Sequence, residues 1–436
     1  MQIKFFPYLL AFAVVVLLGS TAQAQRRFVA ALTPQQTVPT ANSPARGSCT
    51  INLDETGQTP TIHFTCSFSG LSSGVISGHI HGGAAPGQNG DISLNFNLTT
   101  NQTSGIFFPF EAINITPALA ADIRAKRAYI DLHTANFPNG ELRGQIKTVT
   151  IDFDFDGDGR TDPIVFRQSN GFAYTLRSVN NSFSAQQLLA QASDLPVGAD
   201  FDGDGLAELG VVRVDQATGA ATTIYTRSRD GAQRQIQWGN AALLDLPAPG
   251  DYDGDGIIDI AVFRRSNGVW YILQSSNNLP RYEFWGQANT DFPCPGDYDR
   301  DSKTDVCVNR VEGGQLVWYI RRSSDNQIRR TVWGLSSDSF FAANPVDVDG
   351  DGATDIMVSR ITNGQVFYYA LRSSDNSFFG LQWGLESDGV RLGDYDGDNK
   401  TDFGALRSIN NQLVWFIRQS SDGQTRVFNW GLPGDR

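Results

Sequence analysis

The chain has 436 residues, 40% hydrophobic and 11% aromatic, which is enough for more than one buried core. A formal net charge of −12 argues against a polyanionic partner such as nucleic acid. With 44 Gly, only 2 Met and short apolar runs broken by Gly, Asn, Asp and Ser, the texture is all-β and excludes a long helical bundle.

The first segment reads as an export signal. Lys4 supplies the positive start, Phe5 to Leu18 the apolar stretch, and Ala22-Gln23-Ala24 a small-x-small cleavage site, so residues 1–24 are expected to be removed. About 14 apolar residues are too few to span a bilayer. No second apolar span follows, so the mature chain is expected to lack a transmembrane segment and to lie outside the cell, at its surface or in the periplasm.

Residues 28–147 read as a separate β unit. Alternation in "TIHFTCSF" and "DISLNFNL" predicts strands. Cys49 and Cys66 flank two alternating runs and a Gly-containing turn, which suits a cross-strand disulfide in an oxidising compartment; two buried free thiols are the other reading. All four histidines, His63, His79, His81 and His133, fall here. His79 and His81 sit two apart, so in a strand both point one way, and with His133 they could ligate copper or zinc. The alternative is that these rings hydrogen-bond the backbone and pin loops. The segments "GHIHGG" at 78–83 and "AYIDLHTANFPNGELRGQI" at 128–146 resemble the chordin-type CHRD domain. That resemblance implies an extracellular β-sandwich-like domain without a settled catalytic activity.

From 149 to 436 the chain repeats itself. The stretch "DFDGDGRTD" at Asp154 recurs from Asp200, Asp251, Asp297, Asp347 and Asp394, at spacings of 46, 51, 46, 50 and 47 residues. Each copy leads into an apolar run such as "IAVFR", a polar turn and an aromatic strand such as "VWYI" at 269–272. A second turn follows, "SSDN" at 323–326 and 373–376, and then a strand ending in Trp-Gly at 238, 285, 333, 383 and 430. The first copy has Leu188-Leu189 where that Trp would stand. About four short strands in ~48 residues match one blade of a β-propeller. Six blades are expected, with seven the alternative.

In every copy, acids occupy positions 1, 3, 5 and 9 of the loop. They are Asp154, Asp156, Asp158 and Asp162; Asp200, Asp202, Asp204 and Glu208; and Asp251, Asp253, Asp255 and Asp259. The later copies hold Asp297, Asp299, Asp301 and Asp305; Asp347, Asp349, Asp351 and Asp355; and Asp394, Asp396, Asp398 and Asp402. An ordinary Asp/Gly turn explains one copy, not the same four acids six times over. Oxygen donors alternating along a tight loop, with Gly where it turns sharply, describe a calcium site. An EF-hand would need an acid at position 12, where this chain has Val165, Val211, Val262, Val308, Val358 and Ala405. The six loops hold 24 of the 46 acids, and one calcium per loop would return 12 charges, the size of the net charge.

The D-x-D-G-D-G-x-x-D core resembles the FG-GAP/VCBS type of propeller repeat found in integrin-like and many bacterial surface proteins. By that resemblance, calcium is held by side chains 1, 3, 5 and 9 and by the carbonyl at position 7, and the loop joins the first two strands of each blade. The fourth loop is the least regular, with Arg300 and Ser302 for glycines, and Asn399 replaces Gly in the sixth. Cys294 and Cys307 bracket the fourth loop alone, so a disulfide is expected to clamp it. Position 14 is Arg throughout: Arg167, Arg213, Arg264, Arg310, Arg360 and Arg407. These arginines serve either a structural role between strands and blades or a cationic ring for an anionic ligand.

The expectation is an exported, monomeric, calcium-binding module for an extracellular glycan or protein, without catalysis. The propeller has no His, and its acids are spoken for as metal ligands. The alternatives are an extracellular polysaccharide-active enzyme and a CHRD-domain protein that binds copper or zinc.

Overall fold

The computed structural model describes residues 26–435 apart from 56, 85–86, 97, 110, 149–152, 188–193, 205, 229, 302, 342–344 and 399. The expected export signal, Leu188-Leu189, Ser302 and Asn399 lie outside the described residues.

The N-terminal elements are β1 (Arg26–Leu32), β2 (Arg46–Asp54), β3 (Thr61–Ser69), β4 (Val75–Gly82), β5 (Asp91–Asn95) and β6 (Gly105–Phe107). They continue with β7 (Ile113–Asn114), α1 (Pro117–Arg124), β8 (Tyr129–Thr134), β9 (Leu142–Gln145) and β10 (Lys147–Thr148). One sheet runs β10-β1-β2-β3-β6, with β7 also on β3, and a second runs β5-β4-β8-β9. Strict alternation in β3 buries Ile62, Phe64, Cys66 and Phe68 and turns the residues between them outward. That face meets Ile80, Ile130, Leu132 and Leu142 of the second sheet in one core, which makes the unit a sandwich. Cys49 stands directly opposite Cys66 across the β2–β3 pair, and the two are bonded. Helix α1 was not legible as a strand-poor segment. It starts at the Thr116 cap, which accepts from Leu119 N–H, and buries Leu119, Ala120 and Ile123.

Six further antiparallel sheets follow, five of four strands and the first of three described strands. In the fifth, the strands are Ser339–Phe340, Ile356–Thr362, Gln365–Leu371 and Phe378–Leu385, paired in chain order. The acidic loop joins the first strand to the second in each four-stranded sheet. Third strands carry side chains buried on both faces, because each sheet is packed between two others; Trp270, Trp415 and Tyr368 are almost fully enclosed. Fourth strands alternate exposed and half-buried residues, as outer edges do.

Two series of bonds close the ring. The Nε1–H of Trp238, Trp285, Trp333 and Trp383 donates to the carbonyl of Tyr271, Tyr319, Tyr369 and Phe416 in the next blade. Trp430 of the sixth blade donates to Tyr174 of the first at 3.2 Å. The acidic loops are linked head to tail as well. The N–H at position 8 (Thr161, Ala207, Ile258, Thr304, Thr354, Thr401) donates to the position-1 carbonyl of the preceding blade at 2.6–3.0 Å, and Thr161 returns to Asp394. The propeller therefore has six blades, and its loops form one continuous circle. Lys126 of the sandwich reaches this circle, with Nζ 3.4 Å from the Gly256 carbonyl.

Candidate metal centres

Each loop is coiled by its own acids. The position-1 carboxylate accepts the N–H of position 4, at 2.6–2.7 Å from Gly157, Gly254, Arg300, Gly350 and Gly397. This bond requires left-handed backbone at position 4, which Gly254 meets at φ 82° and Arg300 meets at φ 65°. The position-5 carboxylate accepts the N–H of position 7 at 2.8–3.0 Å in all six loops. The position-9 acid closes the loop. One of its oxygens takes the N–H of position 2 at 2.6–2.9 Å, and the other takes a serine N–H from the turn between the third and fourth strands at 2.6–3.1 Å.

That serine turn is a functional element the sequence reading passed over. Ser178, Ser228, Ser275, Ser323, Ser373 and Ser420 donate Oγ–H to the position-5 carboxylate at 2.6–3.1 Å. The next serine, at 276, 324, 374 and 421, donates to position 3 at 2.5–2.6 Å. The recurring Ser-Ser dipeptide is the signal that could have revealed it. Its hydroxyls hold the acids that face inward, as the outer partners of metal ligands do.

The carboxylates converge. One oxygen from each acid lies within 4.8 Å of the others in the sets Asp154/Asp156/Asp162, Asp200/Asp202/Asp204/Glu208, Asp251/Asp253/Asp255 and Asp297/Asp299/Asp305. Asp158 and Asp301 stand outside those sets and Asp259 outside the third, so positions 5 and 9 contribute unevenly. Burial pushes the position-9 carboxyls up: Asp162, Glu208, Asp305 and Asp402 to about 7, Asp259 and Asp355 to about 6. The position-3 carboxylate of the same loop adds to that push in every case. Asp299 Oδ1 and Asp349 Oδ1 are buried with no hydrogen-bond partner. A crowded, desolvated set of hard oxygens with orphaned lone pairs fits a hard divalent cation such as calcium.

The irregular fourth loop is accommodated in two ways. Cys294 and Cys307 are bonded, which ties the strands on either side of it. Elsewhere a long side chain at position 7 lies against the position-4 Gly of the preceding loop, as Lys303 does at Gly254 and Lys400 at Gly350. Where position 4 is Arg300, the facing position 7 is Ala353, and the Arg300 guanidinium pairs instead with Asp351.

The position-14 arginines are engaged inside the fold. Arg167, Arg213, Arg264, Arg310, Arg360 and Arg407 pair with Asp435, Asp194, Asp245, Asp291, Asp338 and Asp388 at 2.6–2.8 Å. The aspartates are buried, and five of the guanidiniums also lie over Tyr174, Tyr271, Tyr319, Tyr369 or Phe416. The geometry supports the structural reading of these residues. The first blade takes its aspartate from residue 435, so Arg167–Asp435 is a third closure.

In the sandwich, β4 and β8 bring His79, His81, Asp131 and His133 together on the outer face of the second sheet. His63 stands apart in β3.

Residues 28–146 match the CHRD domain family, and residues 251–308 match the FG-GAP-like repeat. No curated protein matches the chain. Among solved structures, a Bacteroides uniformis protein assigned as a 6-phosphogluconolactonase is 10% identical, over 64% of this chain and 98% of that one, with a TM-score of 0.34. An oligogalacturonate lyase in complex with manganese is 9% identical, over 70% and 83%, at 0.35. The rhamnogalacturonan lyase YesW is 15% identical, over 85% and 66%, at 0.27. Such distant likenesses carry no argument about chemistry. The family matches fall on the segments whose motifs resemble those families: residues 28–146 match a CHRD domain, and residues 251–308, within the C-terminal repeats, match an FG-GAP-like repeat.

Proposed function

We propose that this is an exported, calcium-stabilised binding module acting outside the cell, at its surface or in the periplasm, rather than a catalyst. The observation that carries the reading is the circle of six acidic loops, each bonded to the next, with carboxylate oxygens gathered to within 4.8 Å of one another in the loops at Asp154, Asp200, Asp251 and Asp297. Calcium at these loops supplies positive charge at the centre of each acid cluster. The side chains at positions 1, 3, 5 and 9 hold it, and the serine turn orients them. A ring so braced presents rigid loops and strand edges to a glycan or protein partner.

Two disulfides support an oxidising compartment, and the apolar stretch Phe5 to Leu18 supports export. Among the described residues, no helix is long and apolar enough to cross a membrane. The absence of His from the propeller and the engagement of its loop acids leave little for acid–base chemistry.

Calcium titration of chelator-treated protein by calorimetry tests the reading. Uptake of about one ion per loop, with a rise in melting temperature, is expected. Uptake of no calcium at millimolar concentration defeats it. A glycan array run beside a polysaccharide cleavage screen separates binding from catalysis, and turnover of any polymer would reinstate the enzyme.

A further inference from the structure

We propose that His79, His81, His133 and Asp131 form a site for one divalent transition-metal ion of the zinc or copper kind. The site is separate from the calcium loops. It lies on the outer face of the β5-β4-β8-β9 sheet, where His79 is paired across the strands with Asp131.

The ligand atoms are already gathered, with one atom from each of the four side chains within 4.8 Å of the others. His81 Nε2 and His133 Nε2 each stand 3.1 Å from Asp131 Oδ2, and His79 Nδ1 stands 3.3 Å from Asp131 Oδ1. His79 Nδ1 and His133 Nε2 are 3.1 Å apart.

Protons are short at this point. His81 Nδ1 lies 2.8 Å from the Gly90 carbonyl, and His133 Nδ1 lies 2.8 Å from the Pro138 carbonyl. A carbonyl only accepts, so those nitrogens carry the ring hydrogens and the neutral rings present bare Nε2 lone pairs inward. Both lone pairs face a carboxylate, and the one remaining ring hydrogen, on His79, can satisfy a single neighbour. His81 Nε2 and Asp131 Oδ1 are buried without a hydrogen-bond partner, the 3.1 Å approach of His81 to Asp131 being poorly aligned. The two residues are 8% and 6% exposed. A cation removes the conflict at once; extra protons on the rings are the competing solution.

The surroundings are built for the first solution. The carbonyls that set the ring hydrogens act as the outer partners expected behind metal-bound imidazole. At Gly90, an added Cβ would fall 2.2 Å from the Gly82 carbonyl, so only glycine brings its own carbonyl to His81. The Tyr129 ring stacks on His81 at 4.5 Å and 4°, and Arg143 covers Tyr129 from 3.6 Å. Three imidazole nitrogens and one carboxylate select a borderline ion over calcium, which prefers oxygen alone. The side chains of His79 and His133 keep 13% exposure, which leaves a path for exchange.

The test uses the full chain in saturating calcium, equilibrated with zinc or with copper(II), dialysed and analysed by elemental mass spectrometry. About one equivalent of either ion is expected on the unaltered protein and on His63→Ala, and at least tenfold weaker retention on His81→Gln and His133→Gln. Cobalt(II) should give the visible absorption of a tetrahedral nitrogen-rich site, lost in His133→Gln while that variant still binds calcium fully. No retained zinc or copper on the unaltered chain, or equal retention in both Gln variants, overturns the proposal. A variant that loses both calcium and transition metal has misfolded, and the cobalt spectrum of the unaltered protein then decides.

Discussion

Removing divalent ions should make the protein less stable as pH rises, the reverse of ordinary acid denaturation. The Asp402 carboxyl is fully buried, and that burial pushes it from an ordinary 3.8 to about 7. A tenfold change in proton affinity is worth about 1.4 kcal/mol, so ionising this group in place costs about 4 kcal/mol. All six position-9 acids are raised to about 6 or 7. All six act in the same direction, so the effect is not confined to one blade. The sign follows from proton counts. Between about pH 4 and 7 the ion-free folded chain holds more protons than the unfolded one, so its stability is full below that window and is lost as pH rises through it. Calcium needs the ionised form, so its stabilising effect grows over the same range. Thermal melts at pH 5, 6, 7 and 8, with chelator and with 1 mM-scale calcium, read this directly. The melting temperature in chelator should fall steadily, and the gap between the two series should widen. A flat series in chelator, or no gap at pH 8, would refute the reasoning.

Other perturbations test separate contacts. Cys307→Ser opens a bridge of sequence separation 13; about 3 kcal/mol should be lost, and calorimetry should show the fourth loop releasing calcium first. Asp388→Ala strands Arg407, whose guanidinium is about a third exposed, so a loss of about 2 kcal/mol is expected from denaturant melts. Asp435→Ala should cost a similar amount although it lies at the chain end, because it serves Arg167 of the first blade. Trp430→Phe removes one hydrogen bond to Tyr174 at the ring closure, worth about 1 kcal/mol. Ser373→Ala should weaken calcium binding at the fifth loop several-fold without changing the circular dichroism spectrum, since its hydroxyl only orients Asp351.

Much of the architecture was legible because it repeats. Six copies of one loop, each followed by the same apolar and aromatic runs, announce blades and carboxylate clusters without any long-range information. The two disulfides were legible for a related reason: each joins residues close in sequence, Cys49 and Cys66 in paired strands and Cys294 and Cys307 on either side of one loop. The partner of each position-14 arginine was not. Four of the aspartates stand 19 residues before their arginine, on a different strand or loop of the blade, and nothing in that spacing says the two side chains meet; Asp435 lies 268 residues from Arg167. The Ser-Ser turn looked like a turn and nothing more, because its hydroxyls meet the acids only after three strands have folded back.

Local chemistry along the chain thus determined the strand period, the acidic loops and the export-type cysteine pairs. Tertiary structure alone decided that the ring closes at six, that the arginines are neutralised from within, and that Asp131 joins three histidines. Periodic patterns are written in neighbouring residues, whereas closure and convergence depend on where distant strands arrive in space. No count of residues along a chain encodes that arrival.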